Sequence, residues 1–194
     1  MDKSFPVQKI TITALLIAIG VIIPIFSPVK FILEPASFTF ASHVAIFLSM
    51  FISPAVALIV STGTALGFLL GGFPIVVVLR ALSHIVFALI GAFAIRARPR
   101  IFSSTAKTQL FSFSIGLVHA FCEIFVVSIF YFNKSMTSLY YDNGFLFSVM
   151  LLVGVGTLVH SMIDFAITLF ILRIFSQNPS LSEIFSLHKE KSVI

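Results

Sequence analysis

The chain has 194 residues, 59% of them hydrophobic and 10% charged, with a mean hydropathy of +1.15 and a formal net charge of +5. Soluble domains carry roughly 25% charged residues, so a water-soluble fold is excluded, and the basic excess is read as membrane topology rather than nucleic-acid binding. A single cysteine, Cys122, allows no internal disulfide and no cysteine metal motif.

A helix needs about 20 apolar residues to cross a bilayer. Runs such as Ala14 to Phe26 and Ile75 to Leu79 do not alternate as a β-barrel strand would, so their backbone must bond to itself as helix. Helix 1 is predicted from Val7 to Phe26, closed by Pro24 and Pro28, and the N-terminal run is too long, with no clear cleavage site, to be a cleaved signal. A short segment from Ser27 to Ser37 follows, carrying Lys30, Glu34 and Pro35. Helix 2 is predicted from Phe38 to Ile52, a break falls at Ser53-Pro54, and helix 3 runs from Ala55 to Leu70. Both are short for a full span. Gly71-Gly72-Phe73-Pro74 reads as a turn. Helix 4 runs from Ile75 to Ile95, a basic loop from Arg96 to Lys107, and helix 5 from Thr108 to Phe132. After a polar loop from Asn133 to Gly144, helix 6 runs from Phe145 to Phe175 and is long enough to tilt. The expected architecture is all-α, a polytopic membrane bundle of six transmembrane helices forming one domain over residues 1–175. A polar cytoplasmic tail follows over 176–194, with capping-box spacing at Ser180 and Glu183.

Lysine and arginine set the orientation. With six helices, one side holds Lys3, Lys9, Arg96, Arg98, Arg100, Lys107, Arg173, Lys189 and Lys191, and the other only Lys30 and Lys134. The richer side is expected to be cytoplasmic, together with both termini. Five helices would misplace the C-terminal basic residues.

Arg80 is missing from that tally because it lies inside helix 4. A charge within a span costs about 2.5–3.5 kcal/mol on insertion scales, so it faces the interior and often marks a site. His84 lies one turn on, helix 5 repeats the spacing with His119 and Glu123, helix 6 with His160 and Asp164, and helix 2 carries His43. At about 1.5 Å per residue, Arg80, Glu123 and His43 could ring one outward-facing cavity, with His160 and Asp164 deeper. A plain structural role is open throughout: Glu123 could neutralise Arg80, and His160 with Asp164 could bridge two helices.

Catalysis finds no support. There is no Gly-x-Ser-x-Gly elbow, no intramembrane protease motif and no P-loop, so the chain is not expected to be an enzyme or to hydrolyse ATP itself. The two His-x-x-x-acid pairs are not a zincin motif, and no metal or cofactor is expected.

Helix 1 reads Ile12-Thr13-Ala14-Leu15-Leu16-Ile17-Ala18, with small residues four apart at Ala14 and Ala18 that allow close helix approach. Together with six short helices and a cytoplasmic N-terminus, this resembles the substrate-binding membrane subunit (S component) of energy-coupling factor (ECF) vitamin transporters. The segments from Glu34 to His43 and from Gly71 through Arg80 to His84 look most like the niacin-type members. The resemblance implies a bacterial plasma-membrane protein that docks through Ala14 and Ala18 onto a transmembrane coupling subunit carrying two ATPases. It also implies a small-molecule vitamin bound near the outer face, under the loops joining helices 1–2 and 3–4. Arg80 would then fork onto a carboxylate, with His84, His119, His43, Glu123 and Glu34 as polar candidates and Phe38, Phe40 and Phe73 as walls. Niacin is the expected ligand and pantothenate the alternative. An autonomous proton-coupled carrier using Glu123 or Asp164 is disfavoured by the lack of inverted repeats.

Overall fold

The computed structural model describes residues 4–28, 30–33, 36–98 and 100–185. The protein is an all-α membrane bundle with one small hairpin. Helix α1 spans Ser4–Phe26, strands β1 and β2 span Lys30–Leu33 and Ala36–Thr39, and α2 spans Val44–Ile52. Helices α3 (Pro54–Leu70), α4 (Ile75–Ala97) and α5 (Thr105–Phe132) follow, then a one-turn α6 (Ser138–Asp142). A π-helical stretch, Leu146–Val155, runs directly into α7 (Gly156–Phe175), and α8 (Pro179–Ile184) ends the described chain.

Among the described residues, four helical segments are long and apolar enough to cross a membrane: Val7–Phe26, Ile75–Ala97, Thr105–Phe132 and Leu146–Phe175. Helix α3 is apolar but only 17 residues long, and α2 has nine. At ~1.5 Å per residue, α2 reaches less than half of a hydrocarbon core of ~30 Å. All nine of its residues are buried, as expected of a helix that is apolar on every face. It is the central post of the bundle. Phe47 packs on Phe87 and Phe165 at ring separations of 5.5 and 5.3 Å, and Phe51 stacks on Phe102 at 5.5 Å. Phe102 comes from the basic loop and is buried, so an aromatic layer seals the bundle on that side.

Helix 2 is shorter than its sequence suggests. Residues 36–39 form an antiparallel strand instead, in register Lys30↔Thr39, Phe31↔Phe38, Ile32↔Ser37 and Leu33↔Ala36. The apolar run continues through Phe38 and Phe40, which is why it reads as helix. The backbone is stopped by Ala41, at φ 64°, a left-handed conformation that side chains other than glycine rarely adopt. Asp164 of α7 supplies the acceptors that a preceding helical turn would have given: Oδ1 accepts from Ala41 N and Oδ2 from His43 N, each at 2.9 Å.

Close helix contacts use glycine. A Cβ at Gly20 of α1 would fall 2.6 Å from Thr64 Oγ1 of α3, and one at Gly156 would fall 2.5 Å from the Phe38 ring. The start of α8 is capped by Asn178, whose Oδ1 accepts from Ser180 N and Leu181 N at 3.0 and 3.2 Å, rather than by the Ser180–Glu183 pair. Ile184 and Phe185 pack into the main core.

Candidate functional site

A cavity of about 340 Å³ lies between the hairpin and α3, α4, α5 and α7, within the ~300–1,000 Å³ usual for small-ligand sites. Phe38 and Thr39 come from the hairpin, Phe73 from the α3–α4 turn, His43 from the residue just before α2, and Ile46 from α2. Helix α4 contributes Arg80 and His84, α5 His119 and Glu123, and α7 Thr157 and His160. Their i, i+4 spacing puts each pair on one helix face, and burial turns those faces inward: His84, His119, Glu123, His160 and Asp164 are all buried.

Glu123 is the hub of the α4–α5 side. Its Oε2 accepts from both Nε and Nη2 of Arg80. Its Oε1 lies 3.2 Å from His84 Nε2 and 3.6 Å from His119 Nε2. Arg80 is therefore paired yet still borders the cavity, and no hydrogen bond among the described residues uses its Nη1. Asp164 is the hub of the opposite side. Beyond the two backbone bonds, Oδ2 lies 3.1 Å from His43 Nδ1 and 3.2 Å from His160 Nε2. Ser42 Oγ bridges His160 Nε2 at 3.0 Å and His43 Nδ1 at 3.2 Å.

His43 joins the two sides. Its ring lies edge-on to His84, His119 and His160, with centroids 4.8, 4.7 and 5.0 Å away. His84 and His119 are also edge-on to each other at 4.7 Å. Among the described residues, two sets of three come close enough to share an ion: His43 with His84 and His119, and His43 with His160 and Asp164. Sequence spacing suggested no such grouping, because the members come from four separate elements.

Of the residues singled out from sequence, Arg80, His84, His119, Glu123, His43, Phe38 and Phe73 all border the cavity. Glu34 lies outside the described residues. Phe40, expected as a wall, is exposed and does not border it. His160 and Asp164, expected deeper, join the same cluster through His43. Pro24, Ser42, Thr64 and Phe68 also line the cavity. Only Ser42, next to a histidine within an apolar run, carried a sequence signal. Ala14 and Ala18 lie on the exposed side of α1.

A small chamber with fixed charges and imidazoles, set inside an apolar bundle, marks a membrane protein with a candidate solute-binding site. The chain is 40% identical over 168 residues to the niacin transporter NiaX of Lactococcus lactis subsp. cremoris (strain MG1363), covering 86% of this chain and 74% of that one. No family model and no solved structure matches it. The chain belongs to the family of S components, in the niacin-type branch.

Proposed function

We propose that this protein captures niacin at the outer face of a bacterial plasma membrane, as the binding subunit of an ECF-type ABC importer. The observation that carries this reading is the chamber, with the Arg80 guanidinium on its wall and imidazoles beside it. Niacin has a carboxylate on a flat ring whose nitrogen accepts a hydrogen bond. Arg80 offers planar donors to the carboxylate, an imidazole N–H can reach the ring nitrogen, and Phe38 and Phe73 enclose the ring. Niacin transport by the relative supports the same ligand.

In this reading the chain crosses the membrane six times, with α2 and its hairpin together making the second passage. Both termini face the cytoplasm, on the lysine- and arginine-rich side. Residues 176–194 form a cytoplasmic tail. ATP is used only by two ATPases beneath a transmembrane coupling subunit, which docks on α1 at Ala14 and Ala18.

The test is titration of the purified chain with niacin and with pantothenate. Niacin is expected to bind tightly and pantothenate weakly. Arg80→Lys, which keeps the charge opposite Glu123 but loses the fork, is expected to weaken niacin at least tenfold, about 1.4 kcal/mol. Binding of neither solute, or an unchanged affinity in Arg80→Lys, would defeat the proposal.

A further inference from the structure

The charges around the chamber do not balance once an anion enters. Arg80 contributes one positive charge, and Glu123 and Asp164 one negative charge each. With its imidazoles neutral, the cluster formed by these described residues carries one net negative charge without a ligand. A carboxylate ligand would make it two, in surroundings where unpaired charge costs several kcal/mol. A divalent cation would bring the loaded chamber to neutrality.

The geometry provides a place for one. One ligand atom each from His43, His84 and His119 lies within 4.8 Å of the others, a spacing that small ring rotations can close onto a single ion. His84 and His119 are both more than nine-tenths buried. Among the described residues, His84 Nδ1 and both ring nitrogens of His119 have no hydrogen-bond partner. Buried polar atoms are rarely left so. Carboxylates stand behind the rings, Glu123 near His84 and His119 and Asp164 at His43 Nδ1. Metal-ligating histidines are commonly oriented by such a carboxylate on the opposite nitrogen. The alternative set, with His160 and Asp164, is already occupied by hydrogen bonds from Ser42, Ala41 and His43.

We infer that His43, His84 and His119 bind one divalent transition-metal ion of the kind imidazole favours, such as Zn(II), and that this ion offsets the charge of the bound anion and leaves a coordination position facing it. The inference rests on the anion-capture reading above for the ligand, and on the histidine geometry for the metal.

Tag-free full-length protein, stripped with a chelator, is titrated with Zn(II) alone by calorimetry and with Co(II) by visible absorbance. One equivalent is expected, with the intense bands of low-coordinate Co(II). His119→Gln and His84→Gln, each checked for an unchanged size-exclusion profile, are expected to weaken Zn(II) at least 100-fold. Niacin is expected to bind the loaded protein at least tenfold more tightly than the stripped one. Absence of stoichiometric uptake, uptake indifferent to both substitutions, or equal niacin binding by the two forms overturns the inference. Niacin bound by stripped protein that takes up no Zn(II), more tightly as pH falls, would assign the compensating charge to protonated imidazole and leave the capture reading intact. One histidine-dependent Zn(II) with niacin bound by neither form would remove the capture reading and leave the metal site.

Discussion

Asp164 holds the hairpin turn onto the bundle. Its two oxygens accept from Ala41 N, His43 N and His43 Nδ1, at 2.9, 2.9 and 3.1 Å. These bonds offset the left-handed conformation of Ala41, a kind of strain that costs about 1–3 kcal/mol. Asp164→Ala would leave the part-buried Ala41 N and His43 N without these acceptors, at about 1–3 kcal/mol for each. The expected outcome is a clearly lowered melting temperature in detergent. Asp164→Asn keeps one carbonyl acceptor and is expected to fall between the two. An Asp164→Ala protein melting with the wild type would refute this account of the turn. Arg80 and Glu123 show the same logic with charge: each makes the other's burial tolerable, and the pairing leaves Arg80 on the chamber wall.

At the scale of elements, the chamber exists because α2 does not cross the bundle. A nine-residue post below and a hairpin above leave a gap at the level of His43, which α4, α5 and α7 wall in. Helix α1 supports that wall from outside. Gly20 lies against Thr64, which lines the chamber and whose Oγ1 is buried without a partner among the described residues. A larger residue at position 20 must push α1 off α3 or turn Thr64 inward. Gly20→Leu is expected to destabilise by about 1–3 kcal/mol, the usual cost of overpacking. It is also expected to weaken niacin binding, read by thermal unfolding and titration on the same sample. Loss of stability with unchanged affinity would show that the α1–α3 seam and the chamber are independent. The π-helical stretch runs into Gly156, which lies against the Phe38 ring, so the hairpin packs closely on α7 at a point where no side chain stands between them.

For the whole molecule, α1 is the span least covered by the rest of the chain: 17% of its apolar window is buried, against 33–39% for the other three. Ala14, Leu15, Ala18 and Ile22 are exposed on it. In the proposed importer this face meets the coupling subunit. Ala14→Trp with Ala18→Trp is therefore expected to leave niacin binding by the isolated chain intact and to abolish uptake by cells that hold the whole importer. Liposomes containing this chain alone are expected to accumulate no niacin under a pH gradient. Accumulation there would favour an autonomous carrier.

Much of this was legible from composition and spacing. Apolar runs longer than a bilayer's thickness, and charges too costly to face lipid, are properties of a one-dimensional chain. They identify the membrane class, the long apolar helices, and Arg80 and Glu123 as charges that must avoid lipid. The start of helix 2 is not legible because Phe38 and Phe40 are apolar in either conformation. Its true limit is set by Asp164, 123 residues away from Ala41. Which inward groups meet was likewise decided only by tertiary structure. Helix rotation and depth arise from packing between distant segments, so the gathering of His43, His84, His119 and His160 between two carboxylates follows from how the helices pack, not from the order of residues along any one of them.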